Sequence, residues 1–389
     1  MPEQPILVIN TGSSSLKFGL YVQRDGDERA LLDGLADGIG QPNGTLEIKD
    51  PAGKTLRSEK LNFTSRHEAL THAARWLAEL SPGKPYAVGH RVVHGGPRLT
   101  QHQKITPQVV AEMQACVHFA PLHIPMALQL IAEAEQAYPD VPQFACFDTA
   151  FHRTMPETAS RFPLSRDLFD DGIRRYGFHG LSYESIVHQL GAKLPARTVM
   201  AHLGSGASLA AVKKGKSVDT SMGLTPTGGI PMATRTGDLD PGVLLYLRRA
   251  KGMDADALEK LLNHDAGLKA LSGGTSDMRK LQEATAKGDS AAELALEVFC
   301  LAIRKTIAAY AAVLGGIDLI IFAGGIGEHS VEVRKRVCEG LGFLGVKLDD
   351  GLNQANQQRI SQDSSGIAVS IVPSQEDRQI ARHCRALHG

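Results

Sequence analysis

The 389-residue chain has no net charge, no long apolar run and no paired-cysteine motif, and each absence excludes a class of function. Lys plus Arg and Asp plus Glu both number 42, so the formal charges cancel. That balance removes the electrostatic footprint expected of a protein that binds nucleic acid or an anionic membrane. No apolar stretch approaches the roughly 20 residues that a membrane-spanning helix needs. The five cysteines (Cys116, Cys146, Cys300, Cys338 and Cys384) are scattered, with no C-x-x-C pair. Such scatter argues against a disulfide framework and a cysteine zinc site, and suits buried, reduced thiols. Residues 1–5 carry no basic segment, and the apolar run at 6–9 is too short for a secretory signal, so a cytoplasmic protein is expected.

What is present is ordinary in bulk and unusual in pattern. Hydrophobic residues make up 42% and charged residues 22%, the proportions of a globular protein. A chain of this length exceeds what one core usually supports, so two domains are expected. A glycine-serine turn recurs half a chain apart. Ile9-Asn10-Thr11-Gly12-Ser13-Ser14-Ser15-Leu16 and Ala201-His202-Leu203-Gly204-Ser205-Gly206-Ala207-Ser208 both run from an apolar strand through Gly-Ser into another strand. Gly12 and Gly204 are 192 residues apart, which implies a duplicated fold with a nucleotide between its halves, and points to phosphoryl transfer.

The pattern along the chain is α/β, with strands alternating with helices in both halves. Residues 6–9 and 16–21 read as a hairpin with Leu16, Phe18 and Leu20 on one face. Ser65-x-x-Glu68 is a capping box, opening a helix whose apolar stripe is Leu70, Ala73, Ala74 and Leu77. Thr106-Pro107 starts a helix over 107–118, and a second covers 125–138. Residues 143–147 form a buried strand. After residue 150 the pattern restarts: a long helix spans about 290–314, a buried strand 318–322 runs into a Gly324-Gly325-Ile326-Gly327 turn, and a final helix covers 375–387.

Several residues carry chemistry. The Gly12 turn is not a Walker A loop, since G-x4-G-K-[ST] is absent, but exposed N–H groups and hydroxyls still make an anion-binding concavity, and Lys17 adds a point charge. Arg91 and Arg235, one per half, each offer a planar fork for two carboxylate or phosphate oxygens. His179, between Phe178 and Gly180, is either an anion-facing donor or a core histidine bonded to a carbonyl. Asp148 and Glu376 are candidates for holding Mg²⁺ or for activating an acceptor. Asp277 and Arg279 either hold a ribose and an adenine face or cap a helix. No H-x-x-x-H falls on a recognisable helix and no C-x-x-C is present, which argues against a catalytic zinc.

Asn10-Thr11-Gly12-Ser13-Ser14-Ser15-Leu16-Lys17-Phe18, His90-Arg91-Val92-Val93-His94-Gly95-Gly96, Phe147-Asp148-Thr149-Ala150-Phe151-His152, Arg175-Tyr176-Gly177-Phe178-His179-Gly180 and Thr234-Arg235-Thr236-Gly237-Asp238-Leu239-Asp240-Pro241 together resemble the acetate kinase family. The resemblance runs over nearly the whole chain. It implies a duplicated two-lobe actin/sugar-kinase-like (ribonuclease H-like) fold with the active site in the interdomain cleft. Residues 1–150 would form the N-terminal lobe, completed by the C-terminal helix 375–389, and residues 151–374 the nucleotide-binding lobe. The implied reaction is reversible transfer of the ATP γ-phosphoryl group to acetate, with propionate as the close alternative and a sugar hydroxyl as a more distant one.

By the same resemblance, Asn10 and Glu376 would hold Mg²⁺, with Mn²⁺ able to substitute. Arg91 and His123 would bind the acceptor, and Lys17 would lie near the phosphates. Asp148 would be the catalytic carboxylate, with His179 and Arg235 stabilising the transition state. His202, Leu203, Gly204, Ser205, Gly206, Asp277, Met278, Arg279, Gly325, Ile326, Gly327, Glu328 and His329 would line the ATP site. A homodimer is implied, with no nucleic-acid or membrane partner. The chain departs from the usual family pattern at Ser205 (Asn), Tyr183 (His), His329 (Asn), Thr236 (Ser) and Gly228 (Glu).

Overall fold

A computed structural model describes residues 4–11, 15–41, 43–81, 83–121 and 123–389. The chain divides into two compact units, Met1–Ala150 with Gln375–Gly389, and Phe151–Ser374.

The first unit is built on eight strands: β1 (Ile6–Thr11), β2 (Leu16–Arg24), β3 (Asp27–Asp37), β4 (Thr45–Lys49), β5 (Thr55–Lys60), β6 (Ala87–Val92), β7 (Gln103–Lys104) and β8 (Gln143–Phe147). They lie in the order β5-β4-β3-β2-β1-β6-β8-β7. β1 and β2 are antiparallel, as the alternation of Leu16, Phe18 and Leu20 predicts, whereas β1, β6 and β8 run parallel. Leu7, Ile9, Phe18 and Val88 pack with Ala69, Trp76 and Leu130 of the helices Arg66–Leu80 and Ile124–Ala137. Ser65 caps the first of these by accepting from Glu68 N, while the Glu68 carboxylate reaches back to Thr64 N instead of its own cap.

The opposite side of β6 carries the C-terminal helix Glu376–His388. A β-carbon on Gly89 would stand 2.6 Å from Ile380 Cγ2 and close against Cys384 Sγ, so only glycine admits the helix this near. Two ion pairs tie that helix to the start of β3: Arg382 Nη2 to Asp27 Oδ1 at 2.8 Å, and Arg385 Nε to the buried Glu28 Oε1 at 2.5 Å.

The second unit holds β9 (Arg197–Leu203), β10 (Ala207–Lys213), β11 (Lys216–Thr220), β12 (Leu319–Ala323) and β13 (Ala368–Ile371), ordered β11-β10-β9-β12-β13. β9–β10–β11 form an antiparallel meander, and β12 and β13 join parallel to β9. In the first unit, β3-β2-β1-β6-β8 has the same order and the same directions. The two sheets therefore repeat one topology, as expected of a duplicated ribonuclease H-like fold. Tyr183 and Ile186 of the helix Gly180–Leu190 pack on Met200, Val212 and Ile321. The long helix Ser290–Leu314 is capped by Asp289 and stopped by Gly315 at φ 73°.

Three local expectations change. The helix over 107–118 ends at Ala115 and continues as a 3₁₀ turn, Val117–Phe119. The glycine-rich turn at 324–327 is the start of a short helix, Gly324–His329. Residues 241–286 fold as four helices, Pro241–Lys251, Ala255–His264, Gly267–Leu271 and Met278–Ala286, of which the sequence marks only the start of the last, by Asp277. No helix among the described residues is long and apolar enough to cross a membrane.

Candidate active site

Parallel strands end together, and ligands of open α/β sheets bind beyond their carboxyl ends. In the first unit those ends carry Asn10 on β1, Arg91 on β6 and Asp148 just after β8, where Asp148 N donates to Val92 O at 2.9 Å. Arg91 Nε donates to both Asp148 oxygens at 3.1 Å, and Nη2 donates to Oδ2 at 2.7 Å. Arg91 Nη1 donates to Asn10 Oδ1 at 3.2 Å, with Glu376 Oε2 at 3.9 Å. Asn10 Nδ2 in turn donates to Asp377 Oδ1 at 2.7 Å, which fixes the amide with its oxygen toward Arg91. Lys17 stands opposite Asn10 in the β1–β2 ladder, exposed. The first copy of the repeated turn, Gly12 and Ser13, lies outside the described residues.

Burial alone would lower the Arg91 pKa, but the Asp148 and Glu376 carboxylates outweigh it and hold the guanidinium firmly charged. Burial raises the Asp377 pKa, Glu376 beside it adds to the rise, and the Asn10 hydrogen bond opposes it. Of the five N–H groups of Arg91, one on each Nη has no acceptor among the described residues. Each Nη thus keeps one N–H to serve a ligand carboxylate. An amide oxygen and carboxylates around one site are the donor set of a hard divalent cation, so Asn10 and Glu376 fit Mg²⁺ by chemistry. His123 heads the helix Ile124–Ala137, half-buried.

In the second unit the equivalent strand ends carry His202, Leu203 and the turn at 204–206, and, after β12, Gly324 onward. The turn is closed by Gly204 N donating to Gly206 O at 3.0 Å. Ala233 N donates to Ser205 O at 3.2 Å, which lays the Arg235 loop against it. A β-carbon on Gly206 would stand 3.4 Å from His179 Nε2 and 3.5 Å from Arg235 Nη1, so both side chains lie against the turn, where Arg235 Nη1 also donates to Pro226 O at 3.2 Å. His179 occupies a left-handed backbone position (φ 58°) at the head of the helix Gly180–Leu190, and its ring stacks on His202 with centroids 4.3 Å apart. Its Nδ1 lies 2.9 Å from Ser208 Oγ, and Ser182 Oγ lies 2.8 Å from His202 Nδ1.

The remaining nucleotide candidates have local partners. Gly324 (φ 74°) must be glycine, because a β-carbon there would meet Leu203 O at 2.8 Å. Glu328 Oε1 accepts from Gly324 N and Ser374 N, while Gly325 and His329 are exposed, Ile326 is half-buried and Gly327 is buried. Asp277 caps the helix Met278–Ala286 and pairs with Arg279, whose bond pulls the carboxyl down to about 2; Met278 itself is buried. The cap, one of the two readings left open for Asp277, is present.

A profile of the acetokinase family matches residues 5–382. The chain belongs to the acetokinase family. An acetate kinase of Methylocella silvestris is 43% identical over 98% of this chain and 97% of its own length. One from Porphyromonas gingivalis is 38% identical over 97% of the chain and 98% of its own length. The crystal structure of Porphyromonas gingivalis acetate kinase superposes with a TM-score of 0.89 at 35% identity, covering 99% of this chain and 100% of that one. A propionate kinase from Francisella tularensis gives 0.92 at 34% identity, covering 99% and 100%. As an acetokinase, the chain is an ATP-using phosphotransferase with a carboxyl group as acceptor.

Sequence reasoning gave no site role to three residues that the geometry brings in. Asp377 orients Asn10, and its signal was adjacency to Glu376 in the first turn of a helix. Ser208 and Tyr183 join His179; Ser208 is the lone hydroxyl within the apolar run of β10.

Proposed function

We propose that this acetokinase transfers the γ-phosphoryl group of ATP to acetate, giving acetyl phosphate and ADP, reversibly and by direct in-line displacement. The observation that carries the reading is the Arg91 guanidinium, held by Asp148 and Asn10 with one N–H on each Nη over for a small carboxylate. Acetate is already a nucleophile, so the chain needs to supply alignment and charge cancellation more than a base. An acetate oxygen bonds to the γ-phosphorus as the bond to the β,γ-bridging oxygen breaks, and ADP leaves with that electron pair.

In this reading Arg91 orients the acceptor with His123 nearby, and Asp148 holds the Arg91 fork and faces the reacting carboxylate. Lys17, His179 and Arg235 donate to the equatorial phosphoryl oxygens, whose charge develops in the transition state. Asn10 and Glu376 hold Mg²⁺, or Mn²⁺ in its place, which neutralises phosphate charge when bound. The turn at 202–206 and residues 277–279 and 325–329 line the nucleotide. Family membership and the position of Asn10, Arg91, Asp148 and the turn at 202–206 at the parallel strand ends support the assignment.

Hydroxylamine trapping of the acyl phosphate tests the reading, with acetate and propionate compared by kcat/KM. Acetate is expected to be preferred; one methylene in a pocket is worth about 1–3 kcal/mol. No acyl phosphate from either acid overturns it. Chelation is expected to abolish turnover, with Mg²⁺ restoring it.

A homodimer and a cytoplasmic location complete the proposal. The helices Pro241–Lys251 and Ala255–His264 bury no residue, and Val243, Leu245 and Tyr246 (58% exposed) present apolar surface for a second copy. Light scattering should give twice the chain mass, and Tyr246→Glu should shift it toward one. All five cysteines are free and buried, which suits a reducing compartment.

A further inference from the structure

We propose that Tyr183 and Ser208 form a hydroxyl relay that fixes His179 in the Nε2–H form, so that its ring donates toward the transferring phosphoryl group. Both are positioning residues, and the inference rests on the reading above that His179 faces that group.

Three atoms stand in line. Tyr183 Oη is 2.6 Å from Ser208 Oγ, and Ser208 Oγ is 2.9 Å from His179 Nδ1. Tyr183 and Ser208 are fully buried, on different elements. Tyr183 lies one helical turn beyond His179, with its N donating to His179 O at 3.1 Å, and its ring is packed among Phe151, Ile186, Met200 and Val212. Ser208 sits on β10 opposite His202, whose ring stacks on His179. The phenol is therefore anchored by the core, the serine by the sheet, and the imidazole plane by its neighbour.

Chemistry sets the direction of the chain. A phenol is a stronger donor than an aliphatic hydroxyl, and an imidazole nitrogen is the strongest acceptor of the three. Tyr183 Oη–H therefore donates to Ser208 Oγ, and Ser208 Oγ–H donates to His179 Nδ1. With Nδ1 accepting, the ring proton resides on Nε2. Nε2 is the ring atom on the side of the 204–206 turn, 3.4 Å from where a Gly206 β-carbon would stand and beside Arg235 Nη1. The opposite tautomer would turn a lone pair toward that point and repel an anionic oxygen. The relay thus decides whether His179 attracts or repels the group that Arg235 also faces.

Long-range ¹H–¹⁵N correlation of the full-length protein labelled with ¹⁵N-histidine reads the tautomer, with His179→Gln identifying the signal. The Nε2–H pattern is expected in the wild type, and a mixture in Ser208→Ala. In steady state, Ser208→Ala should lower kcat about tenfold, the rate equivalent of one hydrogen bond, with little change in the KM of acetate or ATP. Ser208→Thr should restore it. Tyr183→Phe, which removes one oxygen from an apolar setting, should lower kcat by a smaller factor and keep the melting temperature. An Nδ1–H wild type, or wild-type kcat in both Ser208→Ala and Tyr183→Phe, overturns the relay. His179→Gln separates the two ideas: if it is fully active, the role of His179 fails; if it is inactive while Ser208→Ala is not impaired, only the relay fails.

Discussion

Arg91 grips Asp148 at two points, with Nε shared between both carboxylate oxygens at 3.1 Å and Nη2 on Oδ2 at 2.7 Å. The aspartate is almost fully buried and the arginine partly open, so the pair fixes one edge of the guanidinium and leaves the far edge for a ligand. The grip follows from topology. β6 and β8 are parallel neighbours, and their last residues, Val92 and Phe147, are in register. The side chains at the ends of those strands meet without any loop having to close.

Arg91→Lys keeps a charge and loses the planar fork. The KM for acetate is expected to rise about tenfold or more, the worth of one charge-assisted hydrogen bond, while the KM for ATP stays within twofold. Equal rises in both constants would show that Arg91 acts elsewhere than on the acceptor.

Two buried histidines make the fold acid-sensitive above the carboxylate range. Burial lowers the His90 pKa to about 4 against the pull of its Gln143 hydrogen bond, and burial lowers His152 to about 4 against its bond to Phe178 O. The unfolded chain takes up these protons near pH 6.5, the folded protein only near 4. Their contribution is therefore complete above about pH 6.5, declines as the pH falls between the two values, and changes no further below about 4. The loss is at most about 3.4 kcal/mol for each. Denaturant midpoints measured from pH 7.5 to 4.5 should fall, and His152→Gln should flatten the slope. A midpoint independent of pH over that range would contradict it.

Much of the fold and one face of the site were legible because they are local. The hairpin of β1 and β2, the strand at 143–147 and the long helix from Ser290 are set by alternation, apolar runs and caps within a few residues. Asn10 and Arg91 are the penultimate residues of β1 and β6, and Asp148 follows β8, so each was legible as a strand-end residue within a longer motif. The relay of Tyr183 and Ser208 was not legible, since its members are 25 residues apart and meet only when β10 packs on a helix. His90 and His152, conspicuous in the sequence beside Arg91 and Asp148, are core histidines satisfied by Gln143, Ser217 and Phe178. Of the helices in 241–286 the sequence marks only the start of the last, by Asp277; Pro241–Lys251 and Ala255–His264 bury no residue.

Asp377→Asn tests the orientation of Asn10. The aspartate accepts from Asn10 Nδ2, whereas an amide in its place offers both donor and acceptor and no longer dictates which way Asn10 points. Residues that orient a metal ligand typically cost 10–100-fold in affinity when changed. The Mg²⁺ concentration for half-maximal activity should rise by about tenfold, with the melting temperature of the metal-free protein little altered. An unchanged Mg²⁺ requirement would remove Asn10 from the metal site.

Gly89→Ala should loosen the C-terminal helix. The added methyl would press on Ile380 and Cys384, and overpacking of this kind costs about 1–3 kcal/mol. Combining it with Cys384→Ala should cost less than the sum of the two single changes, because the second opens room for the first. Strict additivity would mean that the helix shifts as a body instead of being held at that contact.

Arg334 is a wholly buried cation with no carboxylate among its hydrogen-bond partners. Its five bonds go to neutral oxygens: Nε to Asn353 Oδ1 at 2.7 Å, Nη1 to the carbonyls of Gly327 and Glu328 at 2.9 Å, and Nη2 to Asn353 O and Asn356 Oδ1. Burial pushes its pKa down to about 10, still far above neutrality, so the charge persists. The carbonyls it gathers terminate the short helix Gly324–His329, which makes this guanidinium the clasp of the proposed nucleotide segment. Arg334→Lys can satisfy at most three of the five acceptors and leaves the others buried, at about 1–3 kcal/mol for each one stranded. Denaturation should show that loss, and the KM for ATP should rise while that for acetate does not. If stability falls and both KM values hold, Arg334 supports the core alone and the clasp is not connected to nucleotide binding.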